Sequence, residues 1–319
     1  MGELMRGPEI FRRLDGCASV LIAGAGGGFD VYAGLPVAFA LLDAGVTVHL
    51  ANLSFTELGD VDPYGWIDEH VVAVTPHLDG PECYFPERAL SIWLDEHDLP
   101  STVYAFPRTG VRGLRAGYRT LLTTLGIDAI VLVDGGTDIL LRGDEKTLGT
   151  PEEDATSLAA VAGLDEVPVR LVAGIGFGID AFHGVNHVHV LENIAELDAA
   201  GAYLGAFSIP GSSSEARRYR DAVEHAAALT PLRPSLVNGQ IAAATLGRHG
   251  HVRVGGRRVD NLFVNPLMAM YFTFDLPGLA AHNAYLPMLE DTLGMIDVQH
   301  RIGRYRAGIQ LREPRVFPH

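Results

Sequence analysis

Two stretches of this sequence combine glycine and aspartate in a pattern suited to holding an oxygen-rich ligand. Gly24, Gly26, Gly27 and Gly28 lead to Asp30, and Gly174, Gly176 and Gly178 lead to Asp180. Closely spaced glycines let the backbone turn sharply and leave successive N–H groups unshielded by a Cβ, a concavity that favours an anion. Each aspartate has two readings. It can cap the following helix by accepting a backbone N–H, or face the ligand and hold a ribose hydroxyl, an amine or a divalent cation. Laying SVLIAGAGGGFDVYAG (19–34) over VRLVAGIGFGIDAFHG (169–184) matches Leu21/Leu171, Ala23/Ala173, Gly24/Gly174, Gly26/Gly176, Gly28/Gly178, Asp30/Asp180 and Gly34/Gly184 without a gap. One strand, loop and helix unit is therefore read as occurring twice.

A third constellation lies between the copies, in DGGTDILLRGDEKTLGTPEEDATS (134–157). Asp134 and Asp138 follow an apolar run, and carboxylates at a strand end are hard oxygen ligands suited to Mg2+ that bridges to phosphate. They are equally suited to general acid and base work if burial separates their pKa values. Thr150 and Glu153 have capping-box spacing, which predicts the start of a helix. Among 13 histidines, His183 directly follows the second glycine loop and is the candidate acid, base or substrate partner. His183 and His187 would share a face if helical, but spacing specifies no third ligand, so a transition-metal site is disfavoured. Ser212, Ser213 and Ser214 read as helix N-caps.

Several reaction classes lack their signatures. The chain has no G-x-S-x-G elbow and no Walker-type phosphate loop. The dinucleotide pattern G-x-G-x-x-G fails at Phe29 and Ile179, and Asn52 and Ser54 stand where an acid would grip the ribose. Mg2+ is the cofactor the sequence favours, and NAD is disfavoured.

The elements that must position these residues are short apolar runs ending in glycine or aspartate, each followed by an amphipathic stretch. Strands are predicted at 19–23, 46–51, 102–106, 129–133, 169–173 and 202–209, with helices near 36–44, 87–97, 113–125, 153–163, 189–199 and 213–228. That alternation predicts an α/β fold with a doubly wound, mostly parallel sheet of Rossmann-like type. It contains two related βαβ units, and both glycine loops belong to a sheet domain over residues 1–230. Residues 231–319 are read as a C-terminal extension packed on that domain, with a hairpin turning at Gly255 and Gly256. FVNPLMAMYFTFDLP (263–277) is apolar and aromatic, and periodicity leaves helix and strand equally open.

With 319 residues, 48% of them hydrophobic, the chain can bury a large core without metal or disulfide staples. Its net charge of -15 repels nucleic acid. Cys17 and Cys83 form no metal-like pair, a usage that fits a reducing cytoplasm. No apolar run approaches the roughly 18–20 residues of a membrane span, and the N-terminus lacks the apolar segment of a signal peptide. A homo-oligomer is compatible with the sequence.

The combination of GAGGGFDVYAGLPVAFAL, DGGTDILLRGDEKTLGTPEEDATSLAAV and NPLMAMYFTFDL resembles domain-of-unknown-function family 1152. The resemblance implies an intact family member and transfers no activity or site residues. Phe29 departs from the glycine expected before the aspartate. The expectation from the residues is an enzyme acting on a nucleotide, sugar phosphate or similar anionic small metabolite by Mg-assisted hydrolysis or group transfer. The alternatives are a non-catalytic metabolite-binding or sensing module and an NAD-dependent oxidoreductase.

Overall fold

Every residue of β1 (Ser19–Gly24) is buried, and its side chains alternate between two cores. Val20 and Ile22 face one, Leu21 and Ala23 the other. A strand covered on both faces must be apolar throughout, which is why its run in the sequence is continuous. The computed structural model describes residues 7–254, 257–258 and 262–316. The remaining strands are β2 (Thr47–Leu53), β3 (Trp66–Asp68), β4 (Val71–Val74), β5 (Val103–Phe106), β6 (Ala129–Asp134), β7 (Val169–Ile175), β8 (Tyr203–Ser208), β9 (Arg253–Val254), β10 (Arg257–Arg258) and β11 (Met270–Asp275). The helices are α1 (Glu9–Leu14), α2 (Asp30–Ala33), α3 (Leu35–Asp43), α4 (Pro86–Glu96), α5 (Val111–Leu125), α6 (Pro151–Ala162), α7 (His187–Ala199), α8 (Ser214–Leu229), α9 (Leu236–Thr245), α10 (Leu276–His282) and α11 (Met295–Ala307).

Nine strands form one mixed, mostly parallel sheet in the order β3-β4-β5-β2-β1-β6-β7-β11-β8. Neighbours from β5 through β7 are parallel, β4 runs antiparallel to β5, and β11 runs antiparallel to both β7 and β8. From β1 the chain steps outward through β2 to β5. It then returns to the other side of β1 with β6, so strand order reverses between β1 and β6. Helices α1 to α4, α8 and α9 contribute to the core that receives Val20, and α5 to α7, α10 and α11 to the core that receives Leu21.

Each of the six predicted strands overlaps an observed one. The two copies of the repeat differ in how they continue. In the first, β1 pairs directly with β2. In the second, β11 separates β7 from β8, because Tyr271, Phe272 and Phe274 are all buried and an apolar strand of that kind needs cover on both sides. The ambiguous 263–277 run therefore resolves into a 3-10 turn at Pro266–Ala269 followed by β11. Residues after 230 thus supply an interior strand of the sheet. The hairpin turn at Gly255 and Gly256 lies outside the described residues, and β9 and β10 flank it as an antiparallel pair. No helix among the described residues is long and apolar enough to cross a membrane.

Candidate functional site

The strand order brings the three polar loops of the sequence side by side, since β6 lies between β1 and β7. Gly24 is opposite Val133, and Asp134 is opposite Gly174. The first glycine loop folds around its own aspartate. The Gly26 amide donates to Asp30 Oδ2 at 2.6 Å, and Gly27 and Gly28 turn at φ of 88° and 62°. A side chain at Gly24 would strike Asn52, whose amide donates to the Gly28 carbonyl at 2.8 Å and to buried Glu87 at 2.7 Å. Asn52 therefore pins the loop, and the position where a dinucleotide site would carry an acid is committed to structure.

The β6 loop touches both repeated aspartates. Gly135 lies against Asp30 Oδ1, and Gly136 lies against both oxygens of Asp180 and Oδ1 of Asp138. Thr137 donates its backbone N–H to Asp180 Oδ2 at 2.8 Å. Neither Asp30 nor Asp180 caps a helix, because both carboxylates turn toward loop amides. In the second glycine loop Gly176 and Gly178 adopt φ of 91°, yet Gly176 faces Ile241 and Ile179, so this loop serves packing as well as the turn.

The capping box expected at Thr150 and Glu153 does not form. Thr150 donates its N–H and its hydroxyl to Asp138 Oδ2 at 2.9 and 3.3 Å, and Glu153 pairs with Arg108 at 2.7 Å. The side chain nearest to hand, Asp138, competes successfully for the threonine. Ser213, by contrast, caps α8 as expected, accepting from Ala216. His183 and His187 do not share a helix, since Gly184 at φ of 86° separates a 3-10 turn from α7. His183 is exposed and lies against Phe182.

One functional candidate was not among those singled out in the sequence. Asp154, in the first turn of α6, is 3% exposed, and its Oδ1 has no hydrogen-bond partner among the described residues. A side chain at Gly26 would lie 2.7 Å from both Asp154 Oδ1 and Asp30 Oδ2, so glycine there lets the two carboxylates approach. Ser157, one turn further along α6, donates to the Ala25 carbonyl at 2.7 Å and fixes the helix against the loop. The usable sequence signal was the small and apolar run that follows, Ala155 to Val161, which buries α6 on every side and carries Asp154 in with it.

Asp30, Asp134 and Asp154 each present an oxygen, and the three lie within 4.8 Å of one another. Oxygens on opposite sides of a hard cation with bonds of about 2.1–2.4 Å stand roughly 4–5 Å apart. The spacing and the all-oxygen donor set therefore fit Mg2+ or a similar divalent ion. Burial pushes the Asp30 carboxyl up to about 7, offset in part by the Gly26 amide and reinforced by Asp138. Burial and then mutual repulsion push Asp134, Asp154 and Asp180 far above the ordinary range, and burial raises Asp138 as well. Among the described residues no lysine or arginine forms an ion pair with any of these five aspartates; Arg108 pairs with Glu153 instead.

A cleft of about 330 Å3 adjoins the cluster, lined by Lys146, Thr147, Gly149, Glu152, His183 and Arg306 among others. Gly149, at φ of 69°, lines the cleft, and a side chain there would strike Asp138, so only backbone separates cleft from carboxylate. A larger cavity of about 510 Å3 runs along β8 beside Gly7–Glu9, away from the carboxylates.

The family model for Protein of unknown function (DUF1152) matches residues 66–309, and the chain belongs to that family. The matched stretch holds Asp134, Asp138, Asp154 and Asp180, while Asp30 precedes it. No curated protein and no solved structure matches the chain.

Proposed function

We propose that this protein is a divalent-cation-dependent enzyme that hydrolyses, or transfers a group on, an anionic small metabolite of the nucleotide or sugar-phosphate class. The metal is assigned to Asp30, Asp134 and Asp154, a set that replaces Asp138 with Asp30 and Asp154 relative to the sequence expectation. The observation that carries the reading is the convergence of three carboxylates from three elements, with Asp154 Oδ1 buried and unpartnered. An orphaned carboxylate oxygen is costly to bury, and a cation removes that cost. The sheet is read as doubly wound and Rossmann-like. Its ligand would then sit at the reversal of strand order, beside the carboxyl ends of β1 and β6.

Mg2+ bound there would polarise a phosphoryl oxygen as a Lewis acid. Asp138 is assigned proton transfer. Thr150 fixes its Oδ2, Oδ1 faces the Gly136 side of the cluster, and its raised pKa makes it a better proton acceptor than a surface aspartate. Asp180 holds Thr137 and with it the loop that carries both Asp134 and Asp138.

Mn2+ titration followed by electron paramagnetic resonance tests the site. The wild-type chain should bind Mn2+ saturably, and Asp154→Asn and Asp134→Asn should weaken binding by at least about tenfold. Absence of saturable binding, or an Asp154→Asn variant that binds like wild type, overturns the assignment. Mg2+-dependent turnover across a panel of nucleotides and sugar phosphates is the second arm, with Asp138→Asn expected to lower it about 100-fold or more while retaining Mn2+.

A further inference from the structure

We infer that the cleft beside Asp138 is a phosphate-binding subsite that anchors an anionic end of the substrate, with Arg306 as its principal contact. This deepens the reading above and rests on it for the ligand's role, though not for the binding itself. Arg306, in the last turn of α11, donates to the Gly143 carbonyl at 3.0 Å and to the Lys146 carbonyl at 2.9 Å. Two backbone carbonyls fix the guanidinium plane, and among the described residues it forms no ion pair with a carboxylate. In a chain of net charge -15, a half-buried, rigidly held and uncompensated cation is out of keeping with its surroundings. A guanidinium fixed in this way is pre-organised for a phosphate or an equivalent dianion.

Two further groups in the same cleft fit that ligand. The Lys146 ammonium meets Glu313 at 2.7 Å, but both side chains are more than half exposed, and such a pair contributes little and exchanges readily. His183 brings an exposed imidazole to the same space. Glu152 is the opposing charge on the wall and disfavours a second anion there. Gly149 closes the floor with no side chain, and Asp138 stands directly behind it. An anion held by Arg306 therefore lies beside Gly149, with Asp138 against that glycine. The substrate class this defines is an elongated molecule whose anchoring phosphate is distinct from its reacting bond.

Calorimetric titration of the full chain with inorganic pyrophosphate in metal-free buffer tests the subsite without reference to the cation. Wild type should bind, and Arg306→Gln should weaken binding by about tenfold or more. His183→Gln, which disturbs no brace of the loop, should weaken it by a smaller factor, and Arg304→Gln on the exposed face of α11 should leave it unchanged. Circular dichroism and Mn2+ binding at wild-type levels would confirm that Arg306→Gln is folded; if it is not, the His183→Gln and Arg304→Gln pair decides. No pyrophosphate binding by wild type, or equal losses in Arg304→Gln and the cleft variants, overturns the subsite. Saturable Mn2+ binding without pyrophosphate binding sinks the subsite and leaves the metal assignment standing. Arg306-dependent pyrophosphate binding without Mn2+ binding does the reverse.

Discussion

Gly26 and Asp30 are four residues apart, and their relation sets the electrostatics of the whole centre. The Gly26 amide is the strongest single hydrogen bond to Asp30, yet burial outweighs it and the carboxyl rises to about 7. The folded protein thus holds this proton more tightly than an unfolded aspartate, whose pKa is about 3.9. The stabilisation is complete below that unfolded value and is lost as pH rises through about 7, because the folded state binds more protons across the window. Asp134, Asp154 and Asp180 shift in the same direction and add to the loss. In chelator, melting temperature should fall between pH 5 and pH 8; a rise over that range would contradict the buried cluster. Added Mn2+ or Mg2+ competes with these protons, so its stabilising shift should be larger at pH 8 than at pH 5.5. Gly26→Ala places a methyl group 2.7 Å from two carboxylate oxygens and should cost about 1–3 kcal/mol in urea denaturation together with loss of Mn2+ binding.

The segment between β6 and α6 is held in place by the C-terminal tail rather than by its own secondary structure. Arg312 donates to Asp144 at 2.9 Å, to Glu145 at 2.8 Å and to Asn193 at 2.9 Å, and a bridge pairs its backbone with Glu145. Burial would raise the Glu145 carboxyl, but donors from Asn193, Arg142 and Gly143 overcome it and hold the group below the usual range. Arg312→Ala leaves that buried charge with fewer partners and should destabilise by about 2 kcal/mol or more, measured by urea denaturation. The same loop carries Lys146, so the variant should also bind pyrophosphate more weakly. Elements of this kind were the least legible in the sequence. β1, β6 and β7 could be read because strands buried on both faces carry nearly continuous apolar runs, whereas β3 and β4 have three and four residues and belong to the sheet margin. Asp30, Asp134, Asp138 and Asp180 could be read because each follows a strand. Asp154 was hidden among Glu152 and Glu153, since acids in a first helical turn ordinarily do no more than complement the helix dipole. Arg306 was hidden for the converse reason, as a basic residue in a last turn.

Across the whole molecule, the repeat was legible from seven identities, but the use of its two copies was not, because strand order is a long-range property. β11 carries the consequence. Tyr271 pairs with Ile175, and Phe272 pairs with Gly174, contacts between residues roughly a hundred positions apart. Among the described residues β8 hydrogen-bonds into the sheet through β11 alone. A chain emerging in order from its N-terminus therefore completes β7 and β8 well before the strand that joins them exists, and for that interval both present unpaired backbone. Contacts of such separation slow folding and lengthen exposure to aggregation. A variant ending at residue 265 should accumulate in inclusion bodies, and recovery of that fragment as a monomer would show that β11 is dispensable. Refolding of the full chain from urea should likewise give falling yields as protein concentration rises. The last third of the polypeptide is thus the folding checkpoint for the first two, and the yield of active protein is set by how long an unfinished sheet edge can be kept from other chains.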